Sequence, residues 1–451
     1  MRTLLQLLTA QRDWQSYPTF RAQFERSARE LAEVEGTPHL AGLAPSERTY
    51  ERWYSGESKP VPDARRVLAH MFGHPISELL TPPVVGVHHP VAASHARGPV
   101  VTDHSMPDAN AYEMGRQATM ASSRALRYAV MAESNSVGPE TFGHIRDEVT
   151  RLGTAYPRVA LHEVFSDLVE VQDLIFRLLE SGRTTPAQAV DLHLLASMTS
   201  GMLAKASHDL SDAKSAMMQA RAAYICADQA GHNGMRAWVR SLQSLISYWA
   251  GRPEDAVTYA ARGAALLSAP SGTVAVWLAS QEACAHAVLG DRDHVRAALR
   301  RAADARDAAV LDDLDAIGGI FTFPQPRETY YAAEAHVLLG TPGPEKEHAA
   351  QEAVRAYSAA PADEWAFGAE AGARTDLALA RIARGDIDGA AEAVGPVLDL
   401  PPAQRKNGIV ISALRVHKAL SAGPVRTATR AKELRDELEL FTSTPTPALP
   451  R

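Results

Sequence analysis

The chain has 451 residues, of which 46% are hydrophobic and only 6% aromatic, with a formal net charge of −7. That length exceeds one compact core and implies two or three domains, or a small domain joined to a repeat array. The acidic balance argues against general affinity for nucleic acid, no apolar run approaches the roughly 20 residues that span a bilayer, and no secretory signal pattern is seen.

Abundant alanine, few β-branched or aromatic residues and no two-residue alternation predict an all-α protein. Cys226 and Cys284 fall in helical patterns without metal-ligand spacing and read as small core residues of a reducing compartment, so the expected location is cytoplasmic. Residues 1–83 read as a five-helix domain, with helices near 2–12, 18–35, 46–54, 63–72 and 75–80. Phe20, Phe24, Ala28 and Leu31 form one apolar stripe that needs Tyr50, Trp53, Val67, Leu68 and Met71 to bury it. Basic and acidic side chains nearly balance here, so the negative excess lies further on. In the stretch from Ser46 to Pro60, Ser46 is a good N-cap, Tyr50 and Trp53 can face inward together, and Gly56 supplies a left-handed stop. Glu47, Arg48, Thr49, Glu51 and Arg52 are left outward, and arginines there suit the major groove, where a guanidinium can donate twice to guanine.

After Thr81-Pro-Pro83 the pattern dissolves. Residues 84–110, rich in Pro, Gly, His and Ser, read as a flexible linker, and the spacing of His88, His89, His95 and His104 matches no zinc pattern. Residues 111–185 read as a helical connector with a seam of Leu161, Phe165, Leu168, Val171, Ile175 and Leu178, an internal core helix or a dimer interface.

From 186 to 441 the chain repeats. Breaks at His208, Gly251, Gly290, Gly340 and Gly385 are each preceded, seven residues earlier, by a small side chain: Gly201, Ser244, Ala283, Ala333 and Ala378. Five residues after the breaks stand Ala213, Ala256, Val295 and Ala390, the fourth repeat being disturbed by an insertion at 341–344. Twelve after the first three breaks stand Ala220, Gly263 and Ala302. Small residues at such offsets let the two helices of a hairpin approach closely, the packing logic of tetratricopeptide repeats. Helices near 406–421 and 425–441 would cap the array, and 442–451 would be a disordered tail. The concave face offers Met198, Arg240, Gln243, Trp277, Gln281 and Tyr330 as groove candidates, each of which could equally be an interhelix contact.

Enzyme signatures are lacking: no phosphate loop, no His-Glu-x-x-His, no Gly-x-Ser-x-Gly and no paired-cysteine spacing. The Asp312-Asp313-Leu-Asp315 cluster lacks the ligand spacing of a calcium loop and reads as a solvated helix end. No enzymatic activity, cofactor or metal is expected.

The stretch from Ser46 to Pro60 resembles the XRE-type helix-turn-helix of the lambda-repressor class. It departs at Tyr54, where that pattern has Glu, and in a longer turn from Gly36 to Pro45. The order of helix-turn-helix, linker, connector and tetratricopeptide-type α-solenoid, with His70-Met-Phe-Gly-His-Pro75 and Ser247-Tyr-Trp-Ala-Gly251, resembles a group of actinobacterial transcription regulators. More distantly, the architecture is similar to peptide-sensing regulators of Gram-positive bacteria. The resemblance implies a homodimeric, sequence-specific regulator of double-stranded DNA. In it Arg48 and Arg52 read bases, Ser46, Thr49, Lys59 and Arg65 contact phosphates, and a peptide, small molecule or protein partner acts on the array. The alternative is a tetratricopeptide adaptor without DNA binding.

Overall fold

The computed structural model describes residues 3–11, 14, 16–35, 37–55, 60–72, 76–79, 137–340 and 344–443. Among them every regular element is a helix, and no helix is long and apolar enough to cross a membrane. The chain divides into two compact units, within residues 1–105 and 106–451.

The N-terminal unit contains α1 (Leu4–Gln11), α2 (Tyr17–Glu35), α3 (Glu47–Ser55), α4 (Pro62–Phe72) and α5 (Ile76–Leu79). The apolar stripe of α2 is buried as its spacing requires: Phe20 packs on Tyr50 at 4.4 Å between ring centroids, and Phe24 faces Trp53 at 6.1 Å. Val67, Leu68, Met71 and Phe72 of α4 complete this core. The long connection before α3 holds a 3₁₀ turn, Pro38–Gly42, whose Leu40 is wholly buried, and Tyr17 donates from its hydroxyl to the Pro45 carbonyl (3.0 Å). The extra length of this turn is thus packed against the core. Gly56, Lys59, the segment 84–110 and its four histidines lie outside the described residues.

The C-terminal unit opens with α6 (Pro139–Ala155) and α7 (Phe165–Glu180). Leu161, Leu168, Val171, Ile175 and Leu178 are buried within the same chain, and α7 packs against the helix that follows. Then come helical pairs: α8 (Pro186–Asp209) with α9 (Ala213–Gln229), α10 (Asn233–Trp249) with α11 (Pro253–Ala264), and α12 (Val274–Val288) with α13 (Arg292–Asp307). After the short α14 (Asp313–Ile317) follow α15 (Gln325–Leu338) with α16 (Glu345–Ser358), α17 (Phe367–Ile382) with α18 (Ile387–Leu398), and α19 (Asn407–Leu420) with α20 (Thr429–Ser443).

The turns inside three of the pairs have a common cause. A residue with positive φ reverses the chain and the next residue caps the new helix: Ser211 then Asp212, Gly290 then Asp291, Gly385 then Asp386, each aspartate accepting from a backbone N–H three residues on. The first break therefore lies at Ser211. His208 is still inside α8, because that helix runs three residues further than a break at His208 allows. With Ser211 as reference, the three small positions of the first pair become Ala204, Ala216 and Ala223, all wholly buried, whereas Ala213 is only half-buried. In the later pairs Ser244, Ala283, Ala333, Ala378, Ala256, Val295, Ala390 and Ala302 are buried as the spacing demands. Gly201 and Gly263 lie in tight contacts, where an added Cβ would meet Trp238 at 2.6 Å and Leu278 at 2.5 Å.

The first helices of the pairs, α8, α10, α12, α15 and α17, touch in succession; α19 extends the series and returns to touch α8. Six helices close a ring, and α19 is a member of its inner layer as well as part of the terminal pair. The seam is marked by Ser211 Oγ donating to Asn407 Oδ1 (2.9 Å).

Residues 308–324 fold over one end of this ring. Asp312 caps α14 by accepting from Leu314 and Asp315 N–H groups, and Asp315 accepts from Thr273 N–H (3.0 Å) and hydroxyl. The acidic cluster serves as a cap and a tether. Phe321 then lies 5.1 Å from Trp238 and against Gly153, and Trp238 Nε1 donates to the Ile320 carbonyl (3.2 Å).

Candidate functional site

Inside the ring lies a cavity of about 150 Å³. The inner helices contribute in a staircase. From α8 come Lys205, His208 and Asp209, close to its C-terminus; from α10 come Trp238, Leu242, Leu245 and Trp249; and Trp277 comes from α12. The later helices contribute their N-terminal ends: Arg327, Tyr330 and Tyr331 from α15, Gly368, Ala369 and Gly372 from α17, and Gly408, Ile409 and Ser412 from α19, with Lys406 just before it. The stagger brings the end of α8 against the start of α19 across the ring seam.

That seam carries a buried charge cluster. Lys205 binds one oxygen of Asp209, Lys406 lies 3.7 Å from the other, and the Tyr156 hydroxyl donates to Asp209 at 3.0 Å. Burial acts to raise the Asp209 pKa, but the two ammonium groups outweigh it and hold it at about 2. Burial lowers Lys406 to about 8 despite Asp209. Burial, reinforced by Lys205, lowers His208 to about 4, so its imidazole is neutral at pH 7.

Near the cavity, five inner helices bring one polar side chain each into a second cluster. Tyr248 of α10 donates to Glu334 Oε1 of α15 (2.7 Å), and Arg415 of α19 donates to the same oxygen (3.1 Å) and to the Tyr248 hydroxyl (3.2 Å). Cys284 of α12 approaches Glu334 Oε2 at 3.9 Å. Asp376 of α17 is buried with Oδ2 unbonded, and burial followed by the charge of Glu334 pushes its pKa well above the carboxylate range.

Among the sequence-derived groove candidates, Trp277 and Tyr330 line this cavity. Met198, Gln243 and Gln281 are buried elsewhere between helices, and Arg240 lies over the Tyr224 ring (3.7 Å), donating to Gln243 Oε1 (2.8 Å). Charged residues within alanine-rich inner helices, such as Glu334 and Asp376, were the available signal for the polar axis. Lys406 and Arg327 carry no such mark, since only ring closure makes them neighbours.

In the N-terminal unit, Ser46 Oγ accepts from Thr49 N–H (3.3 Å) and shares a hydrogen bond with Thr49 Oγ1 (2.7 Å). Arg48 and Arg52 are exposed one turn apart, beside exposed Glu47 and Glu51, while Tyr50 and Trp53 are buried. Arg65, on α4, is half-buried and donates from Nε to the Pro60 carbonyl (2.7 Å).

Elsewhere in the C-terminal unit His286, Asp291 and His294 offer three potential ligand atoms within 4.8 Å of one another. The imidazoles stack at 4.7 Å and 18°, and His294 Nδ1 is bonded to Asp291 (2.6 Å). Ring nitrogens bind metals in the ring plane, so near-parallel rings aim side by side and converge poorly on one ion.

No protein-family model and no curated protein matches this chain.

Proposed function

We propose that the chain is a cytoplasmic, homodimeric transcriptional regulator, in which an XRE-type helix-turn-helix reads double-stranded DNA and a tetratricopeptide-type α-solenoid binds an effector. The observation that carries the DNA-reading part is the division of α3: Tyr50 and Trp53 are spent on the core, while Arg48 and Arg52 stand exposed behind a serine-capped N-terminus. Arg48 and Arg52 would donate to base edges, and Ser46, Thr49, Lys59 and Arg65 would approach phosphates. Local charge is nearly balanced here, so a single unit binds weakly and two half-sites are needed.

The cavity, with its charged seam and aromatic walls, supports effector binding in the ring. An effector shifts DNA occupancy only by the difference in its affinity for the two states, and a near-complete switch needs on the order of 5 kcal/mol.

The test is fluorescence anisotropy of the full chain on DNA from upstream of its own coding sequence at two salt concentrations, against random DNA and the Arg48→Ala/Arg52→Ala double variant. The regulator requires sequence-preferring, salt-sensitive binding that the double variant loses. Binding equal to that on random DNA and unchanged by the variant points instead to an adaptor.

A further inference from the structure

The cavity wall has a charge imbalance. Lys205, Arg327 and Lys406 are three cations, and Asp209 is the one carboxylate among the lining residues. Lys205 and Lys406 share that carboxylate. Among the described residues Arg327 has the Phe323 ring and Tyr357 beside it and no carboxylate in ion-pairing range. The neighbouring Glu334 is matched by Arg415, so it supplies no counter-charge to Arg327 or Lys406.

Backbone adds to this excess. Helices α17 and α19, of 16 and 14 residues, both begin at the cavity, and neither has a side-chain cap. Their first N–H groups have no intrahelical acceptor, and the aligned peptide dipoles place partial positive charge there. Ala366, Gly368 and Gly408 put little side-chain bulk between these ends and the cavity. The indoles of Trp238, Trp249 and Trp277 complete the lining, the first and last only 5.7 Å apart between ring centroids and Trp249 against Gly408 at the start of α19. A volume of about 150 Å³ is of the size that takes up one benzene ring.

Deepening the reading of this unit as a sensor, we infer that the cavity is a site for a small aromatic organic anion. Its oxyanion group, carboxylate or phosphate, lies between Arg327, Lys406 and the starts of α17 and α19, and its ring lies against the tryptophans. A guanidinium and an ammonium together suit a two- or three-oxygen group, and cation and helix terminus act on the same charge.

The experiment is a titration of the DNA-free full chain, followed by tryptophan fluorescence and by thermal midpoint. The probes are benzoate, phenyl phosphate, the uncharged isostere benzamide and inorganic phosphate. At least one aromatic anion should quench saturably and raise the midpoint, and the stronger of the two identifies the oxyanion. Benzamide and inorganic phosphate should each bind at least tenfold more weakly. Arg327→Gln and Lys406→Gln should each weaken the aromatic anion at least tenfold with unchanged far-ultraviolet circular dichroism. The benzoate-to-benzamide ratio of the wild type decides the matter even if a variant fails to fold. Failure of both aromatic anions to saturate, or equal binding of benzamide, overturns the inference. Because no DNA is present, that failure leaves the Arg48/Arg52 test of DNA binding standing.

Discussion

In the N-terminal unit, helices are spaced by rings: Phe20, Phe24, Tyr50 and Trp53 fill the gap between α2 and α3. In the C-terminal unit, the paired helices meet through Ala204, Ala216, Ala223, Ser244, Ala256 and Gly263, and larger side chains such as Trp238, Trp249, Trp277 and Tyr330 line the central cavity. One core is sensitive to removing volume and the other to adding it. Small residues let helix axes approach and leave the inner face free for function, whereas a small domain must spend its few aromatics on holding together.

The most forceful way to break this contrast is Trp53→Ala. Truncating a buried indole costs about 3–5 kcal/mol, so calorimetry should lose or strongly lower an N-terminal transition while the main C-terminal transition stays in place. Arg415→Ala removes the guanidinium that Glu334 and Tyr248 share in the ring. Breaking such a pair costs about 3 kcal/mol, because the remaining carboxylate is stranded or must take up a proton. Urea unfolding should show that loss, and Glu334→Gln/Arg415→Met should recover part of it.

Adding volume is the converse test. Gly201→Val places methyl groups into Trp238, at an expected cost of about 1–3 kcal/mol, read by the C-terminal transition and by shifted tryptophan emission.

The contrast also sets what could be read from the chain alone. The small-residue spacing marked the hairpins because close approach leaves a compositional trace in every repeat. It missed the three-residue offset of the first pair because Ser211, with φ of 66°, does the work that glycine does elsewhere. The aromatic stripe of α2 and the inward pair Tyr50 and Trp53 were legible from helical spacing. The cavity was legible only in Trp277 and Tyr330. Lys205 and Lys406 sit about two hundred positions apart, and nothing local in either segment records that they share Asp209.

Two smaller effects sharpen the comparison at the sites. Burial lowers Lys406 to about 8, so its charge is present below that pH and lost above it. Of the groups facing it, Asp209 is held at about 2, His208 at about 4 and the buried Tyr156 phenol is pushed well up, and Lys205 and Arg327 are the other cations. Benzoate affinity should fall several-fold between pH 7 and 9, and Lys406→Arg should flatten the profile. An unfolded lysine binds its proton more tightly than this one, so the Lys406 contribution to stability rises with pH from about 8 up to the ordinary lysine range, and lost binding is not lost structure. In the N-terminal unit, Ser46→Ala removes the cap of α3 and should cost about 1 kcal/mol in thermal unfolding, with DNA affinity reduced less than by Arg48→Ala.

The contact between α8 and α19 gives the C-terminal unit the mechanics of a hoop. An open stack of hairpins frays from its last member inwards, each loss exposing only one neighbour. Here the first inner helix is the cushion of the last, so peeling either one uncovers both sides of the seam at once and releases Asp209 from Lys406. Cutting the chain before α19 should therefore loosen α8, some two hundred residues upstream, as well as its immediate neighbour α17.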